Sequence, residues 1–324
     1  MPTIVTGVAG YIGAHVADSL LNNNERVIGL DDFSTGFPSF VDPRVEFYKV
    51  DISDSDQLWT NLRKYKGEKL SLIHIAGVKY AGLSVYEPLR FYRANTVGVV
   101  NMLEICSSLE IGEIVFSSSC SVYGNTGGLL PISENQERLP ISPYGRSKLF
   151  GEEIIQDFSE ATNKKAVALR YFNVAGNASI PAFDVSPYNL FPNLYRSIQE
   201  KKKFKVFGNS FNTPDGTCIR DYVDVVLLAE AHVTALTELR RGKELNFSYN
   251  LGSGNGISVN QIMQTARELI DENLEVEFVS ARAGDPASIL ADTTLAKRDL
   301  NWEDSASIDH QLLSGWKAWN TNNL

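Results

Sequence analysis

Residues 3–13 read Thr-Ile-Val-Thr-Gly-Val-Ala-Gly-Tyr-Ile-Gly, TIVTGVAGYIG. A short apolar run enters three glycines, Gly7, Gly10 and Gly13, and an amphipathic stretch follows over residues 11–23. Glycine at these points permits a tight turn and lets backbone N–H groups approach a pyrophosphate, while the helix N-terminus adds the positive end of its dipole. A glycine set alone also fits an ordinary turn. The context decides for a dinucleotide: a strand before, a helix after, and RVIGLDD (residues 26–32), a second strand that ends in acid at the expected distance. Asp31 there would accept hydrogen bonds from the adenosine ribose hydroxyls. Its charge would repel a 2′-phosphate, which favours NAD over NADP.

Outward from this turn, short apolar runs alternate with longer amphipathic ones. Runs at 3–6, 26–30, 45–50, 70–75, 113–117 and 166–171 read as strands, and stretches at 11–23, 54–65, 86–109 and 143–161 as helices. The alternation predicts an α/β fold: a doubly wound, Rossmann-type parallel sheet with ligands at the carboxyl ends of its strands. Past Tyr171 the rhythm breaks. Residues 173–192, rich in Asn, Pro and Ser, read as a long loop, and so does 208–216. Loops of this length in a compact chain are usually binding loops. Helices near 193–202, 223–237 and 259–272, strands near 247–251 and 275–279, and two C-terminal helices complete the expectation.

Composition narrows the function classes. The 324 residues are 43% hydrophobic and 21% charged, enough for two domains or one large one with an annex. A net charge of −9 argues against a nucleic-acid or anionic-membrane surface. The cysteines, Cys106, Cys120 and Cys218, lack CxxC spacing, and the histidines form no close pair. Neither a disulfide frame nor a metal site is therefore expected, and the cysteine usage fits a reducing cytoplasm. No signal peptide and no membrane span are expected.

Two stretches carry chemistry. FSSSCSVYG (residues 116–124) ends a buried strand in small hydroxyls, and SPYGRSK (residues 142–148) opens a helix. Ser142 suits the N-cap and Pro143 the first turn, which places Tyr144 and Lys148 at i and i+4 on one face. A phenol with a pKa of about 10 is a poor base at neutral pH. An adjacent ammonium and a cationic nicotinamide ring would favour the phenolate, and reaching pH 7 requires about 4 kcal/mol. On an isolated helix this would be a solvated pair. Beside a serine-rich strand end and a dinucleotide turn it reads as a general-base site.

These motifs resemble the extended short-chain dehydrogenase/reductase family, and SSSCSVYG resembles the matching stretch of its UDP-glucose 4-epimerases. The resemblance implies a tightly held NAD. Its contacts would be Gly7, Gly10, Tyr11, Ile12 and Gly13 at the turn, Asp31 at the ribose, and Asp51 and Ile52 at the adenine. Ala76, Gly77 and Lys79 in HIAGVKY, together with Asn95, Ser117, Tyr144, Lys148 and Tyr171, would complete them. It implies Ser119, Tyr144 and Lys148 as the catalytic set, with Lys148 lowering the Tyr144 pKa and Cys120 an inert filler. Related 4,6-dehydratases carry an Asp-Glu pair after the catalytic threonine, and related decarboxylases a Glu two residues on. Cys120 and Ser121 stand at those positions here, so the implied site removes and returns a hydride without a further acid.

The resemblance runs over nearly the whole chain and implies a UDP-sugar substrate. Asn173, Asn189 and Leu190 would contact the diphosphate-sugar region and nucleotide, Val206 and Phe207 would seat uracil, and Asp285 would bind ribose. Arg220 and Arg282 would clamp the diphosphate, as bidentate guanidinium groups do, while Lys79, Ser119 and Tyr144 meet the sugar. Ile289, where relatives vary between small and bulky residues, leans the expectation towards a plain hexose. The implied reaction interconverts UDP-galactose and UDP-glucose through a 4-keto sugar. Epimerisation of UDP-N-acetylhexosamines or UDP-pentoses stays open, as does a non-catalytic dinucleotide sensor on the same fold. The expected organisation is an NAD-binding domain over 1–172 and a smaller, mainly UDP-sugar-binding domain over 173–324, with about 220–251 packing back on the first. Family members commonly form homodimers through the helices expected at 86–109 and 143–161.

Overall fold

The structure, a computed structural model, describes residues 1–126, 128, 130–282 and 285–321. Strands β1 (Thr3–Thr6), β2 (Val27–Asp31), β3 (Glu46–Lys49), β4 (Ser71–His74), β5 (Glu113–Ser117) and β6 (Lys165–Tyr171) alternate with helices α1 (Tyr11–Asn22), α2 (Ser55–Leu62), the short α3 (Ala81–Ser84) and α4 (Pro88–Tyr92), α5 (Gly98–Ser108) and α6 (Pro143–Thr162). Then follow β7 (Asn173–Ala175), α7 (Leu190–Gln199), β8 (Phe204–Phe207), β9 (Ile219–Asp224), α8 (Val225–Arg240) and β10 (Ser248–Leu251). The chain ends with β11 (Gly256–Ser258), α9 (Val259–Leu269), β12 (Val276–Val279), β13 (Ser288–Ile289), α10 (Thr294–Leu300) and α11 (Ile308–Thr321).

The main sheet has the order β10-β6-β5-β4-β1-β2-β3, with every pairing parallel. Helices cover both faces, which is why β1, β2 and β4 are buried throughout and read as continuous apolar runs. Successive side chains point to opposite faces. Ile4 thus packs with Leu58, Met102 and Ile155 on the α2–α5 side, while Val5 packs with Val16 and Leu236 on the α1–α8 side. Strand order reverses between β1 and β4, where a doubly wound sheet opens its ligand crevice. The remaining strands form two small sheets, β11-β9-β13 with β7 beside β9, and β12-β8. They surround a third core of Leu194, Tyr222, Ile262 and Leu312. No helix among the described residues is long and apolar enough to cross a membrane.

The structure departs from the expectation in its second half, where β7, β8, β9, β11 and β13 were not expected, and in one helix of the first half. Residues 173–192 are not one loop, because β7 pairs with β9 (Asn173 opposite Tyr222) and α7 starts at Leu190. Strands of two to four residues whose partners lie far along the chain leave no local periodicity. The helix expected over 86–109 is broken by a π-helical turn, Arg93–Val97. Such turns cluster at functional sites, and this one turns Asn95 inward.

Candidate functional site

Beyond Thr6 the chain turns through Gly7 at φ +74°, a left-handed conformation that favours glycine. Gly13 packs against that turn so closely that a Cβ would lie 1.9 Å from the Gly7 carbonyl oxygen. The Thr6 hydroxyl accepts from the Ile75 and Ala76 N–H groups at 3.0 and 3.1 Å, which ties the ends of β1 and β4 across the crevice. Asp31 closes β2. Its carboxylate accepts from Ala9 N–H at 3.0 Å and Phe33 N–H at 2.8 Å. Burial pushes this carboxyl up, and those backbone donors pull it back.

Of the residues expected at the cofactor, Gly7, Gly10, Tyr11, Ile12, Gly13, Asp31, Asp51, Ile52, Ala76, Gly77, Lys79, Tyr144, Lys148 and Tyr171 line one cleft. The cleft is partly open to solvent and runs from the glycine turn past Asp31 to Tyr144 and Lys148. Tyr11, Ile12 and Gly13, the first-turn residues of α1, belong to this lining, and a helix leaves their N–H groups without intrahelical partners. An anion cradle, an acid at the end of β2 and a cleft between them are the features NAD needs. Among the described residues, no group of three or more His, Cys, Asp or Glu side chains could hold a metal ion.

Asn95 and Ser117 sit behind the cleft rather than in its lining. The Asn95 amide donates to Val78 O (3.0 Å) and Ser147 Oγ (2.9 Å) and accepts from Val78 N–H (2.8 Å), so it braces the loop after β4. Ser117 Oγ is 2.7 Å from His232 Nε2, while His232 Nδ1 is 2.8 Å from Leu228 O. A carbonyl can only accept, so Nδ1 carries the proton and Ser117 donates to Nε2. Burial lowers the His232 pKa to about 4 and keeps the ring neutral. Tyr171, whose hydroxyl bonds Ser117, is pushed well above its usual pKa by burial.

Helix α6 begins as expected, with the Ser142 hydroxyl accepting from Gly145 N–H at 3.1 Å and Pro143 in the first turn. Tyr144 and Lys148 are both buried. Lys148 Nζ donates to the Ser117 carbonyl at 2.8 Å and lies 5.0 Å from the Phe116 ring centre. Burial pushes the Lys148 pKa down to about 8, and Glu152 acts against it. Burial also raises Tyr144 to about 12, opposed by its hydrogen bond with Ser119. Burial is thus the largest influence on the phenol, and the Lys148 ammonium is directed to a backbone carbonyl.

On the substrate side, Arg220 in β9 reaches Asp285 at 3.2 Å, and the Arg282 guanidinium lies 4.1 Å over the Phe207 ring. Val206 points into the core and Phe207 outward, by strand alternation. Ile289 pairs with Arg220 across β13 and β9. Leu190 opens α7, and Asn173 is exposed at the start of β7. The Asn189 amide donates to Asp184 at 2.6 Å, and Lys79 pairs with the same carboxylate at 3.1 Å. Asp184 thereby links the cofactor loop to the α7 loop. The charges of Arg220 and Asp221 in β9 act on Cys120, the neighbour of Ser119.

Glu152, His232 and Asp184 escaped the sequence reading. Glu152 had a signal, since it follows Lys148 by four residues on the same helical face. His232 had none, because Ser117 lies 115 residues away, and nothing local showed that Asp184 would also meet Lys79, 105 residues away.

The profile of the NAD dependent epimerase/dehydratase family matches residues 3–252. A UDP-glucose 4-epimerase of Streptococcus mutans is 36% identical, over 99% of this chain and 97% of the relative. The solved UDP-glucose 4-epimerase from Brucella ovis in complex with NAD is 34% identical with a TM-score of 0.91, covering 98% of this chain and 97% of that one. The Bifidobacterium longum UDP-glucose 4-epimerase in complex with NAD+ and UDP is 32% identical with a TM-score of 0.91, covering 100% of both chains. Sequence, topology and cleft agree: the chain belongs to the NAD dependent epimerase/dehydratase family.

Proposed function

We propose that the protein is a UDP-glucose 4-epimerase, interconverting UDP-galactose and UDP-glucose with a retained NAD. One observation carries this reading. Ser119, Tyr144 and Lys148 stand beside a dinucleotide cleft, and the positions after Ser119 hold Cys120 and Ser121 instead of the carboxylates that dehydration or decarboxylation would need. Bound NAD would supply the acceptor that takes hydride from C4 of the sugar and returns it. Tyr144 removes the proton of the 4-hydroxyl, with Ser119 sharing it through their hydrogen bond. Burial favours the neutral phenol, so Tyr144 becomes a base only when further positive charge joins Lys148 in the cleft. Arg220 and Arg282 hold the diphosphate while the 4-keto hexose turns to present its other face, and Tyr144 then gives the proton back.

In this reading residues 1–172 hold the cofactor and 173–324 mainly the UDP-sugar. Residues 220–251 rejoin the first part, as β10 extends the main sheet and α8 packs on α1. A homodimer is supported by the apolar stripe Val85, Tyr86, Leu89, Val97, Val100 and Phe150, exposed along α4, α5 and α6. The three cysteines are free, in keeping with a reducing compartment.

The test is to mix purified protein with UDP-galactose, add no NAD, and follow the anomeric signals by proton NMR. UDP-glucose should grow to a steady ratio, and Tyr144→Phe should abolish the conversion. UDP-galactose that stays unchanged with and without added NAD would refute the hexose assignment. Conversion of a UDP-N-acetylhexosamine or UDP-pentose in its place would keep the site and change the sugar.

A further inference from the structure

We propose that Glu152 is the positioning residue that sets Ser119 and Lys148 relative to each other, an inference that rests on the epimerase reading. Glu152 lies one turn beyond Lys148 on α6 and is fully buried. Its carboxylate accepts from Arg170 Nε at 2.8 Å and Nη2 at 2.7 Å, from Arg138 at 3.2 Å, and from the Ser118 hydroxyl at 2.5 Å.

The Ser118 contact matters because of its neighbours. Ser117 gives the carbonyl that holds Lys148 Nζ, and Ser119 carries the hydroxyl that works against the raised Tyr144 pKa. One carboxylate on the helix that bears Tyr144 and Lys148 thus grips the strand end that bears their two partners. The carboxylate is itself anchored. Arg170 donates to the Tyr123 hydroxyl at 2.9 Å, which donates to Asn250 at 2.6 Å. Besides Glu152, Ser118 is held by its N–H on Leu169 O at 2.9 Å, a bond along the sheet that leaves the distance to α6 free. Glu152 also favours the ammonium form of Lys148. His74 on β4 is a further buried ionisable group coupled to Lys148. Burial holds it at about 3, so it does not titrate in the range where Lys148 does.

Two variants separate positioning from mere packing. Ser118→Ala deletes one hydroxyl and leaves the Glu152–Arg170 pair intact. Glu152→Gln keeps the shape and removes the charge. Ser118→Ala should retain NAD through gel filtration and keep KM for UDP-galactose, while kcat falls about tenfold. In Glu152→Gln the high-pH limb of kcat should move to lower pH. The same shift should appear without turnover in the pH titration of the Lys148 Cε signal in lysine-labelled protein, assigned with Lys148→Met. A Ser118→Ala kcat within twofold of the parent overturns the proposal, and so does an unmoved Lys148 midpoint in Glu152→Gln. If Glu152→Gln does not fold, Ser118→Ala decides alone. If the parent protein turns over no UDP-galactose, the hexose assignment fails, and the Lys148 titration still judges Glu152.

Discussion

Two glycines of the same turn should fail in different ways when each is replaced by alanine. At Gly13 a Cβ would sit 1.9 Å from the Gly7 oxygen, 2.6 Å from its carbon and 3.0 Å from Val8 Cα, all backbone atoms. To reach even 3.0 Å, α1 and the turn must separate by about an ångström, against β1 and the buried core beneath. Overpacking typically costs about 1–3 kcal/mol, and a rigid backbone target puts Gly13→Ala at or above the upper end. A fall in Tm of about 5 °C or more is expected. Gly10 is the N-cap, with φ −88° and ψ 168°, a conformation open to alanine, and its Cβ would meet only the Gly7 oxygen, at 3.3 Å. Gly10→Ala should therefore keep its Tm or gain up to about 1 kcal/mol through the unfolded state. It should lose NAD, because the methyl group intrudes where the pyrophosphate must approach. Differential scanning fluorimetry and the NAD released on denaturation read the two effects separately. An unchanged Tm in Gly13→Ala would refute the packing argument. Full NAD content in Gly10→Ala would refute the placement of the pyrophosphate.

Other perturbations test the rest of the site. Lys148 binds its proton up to pH 10.5 when unfolded and only to about 8 when folded without cofactor, so it costs about 3 kcal/mol at pH 7. Between pH 8 and 10.5 the unfolded chain binds more protons, and the cost fades as pH rises. Lys148→Met leaves the Ser117 carbonyl without its donor, a loss of about 1–2 kcal/mol. It should still melt a few degrees higher at pH 7, with the gain shrinking above pH 8. A lower Tm at pH 7 would contradict the desolvation argument. Arg220→Met should weaken UDP binding by about tenfold to a hundredfold in calorimetry and leave NAD content intact, a loss expected for charge-assisted hydrogen bonds. Equal UDP affinity would remove Arg220 from the diphosphate. Leu89, 80% exposed on α4, should break a dimer when changed to Glu. An unchanged mass by light scattering would dismiss that face.

The glycine turn was legible because everything that makes it a turn lies within eleven residues. The core strands were legible for a similar reason, since a strand covered on both faces carries an apolar centre, as Ile4-Val5 and Leu72-Ile73 do. Tyr144 and Lys148 could be paired from their spacing alone, because an α-helix places i and i+4 on one face. Glu152 obeys the same rule and was within reach. The π-turn that swings Asn95 onto Val78 was not, because nothing in Arg93–Val97 announces a change of helical hydrogen bonding. Neither were β7, β9 and β13, which exist only because distant segments complete them.

By itself, then, the sequence determined the doubly wound half of the protein and its cofactor cradle, properties carried by neighbours in the chain, and it named Ser119, Tyr144 and Lys148 as the candidate reacting side chains. Only the tertiary structure decided their state. Ser117 became an anchor for Lys148 and a donor to His232, 115 residues away. Asp184 bridged Lys79 and Asn189, and burial pushed the Tyr144 phenol up to about 12. Burial is the physical reason. A side chain's dielectric surroundings and its hydrogen-bond partners are set by whichever segments fold over it, and no local pattern records which those will be.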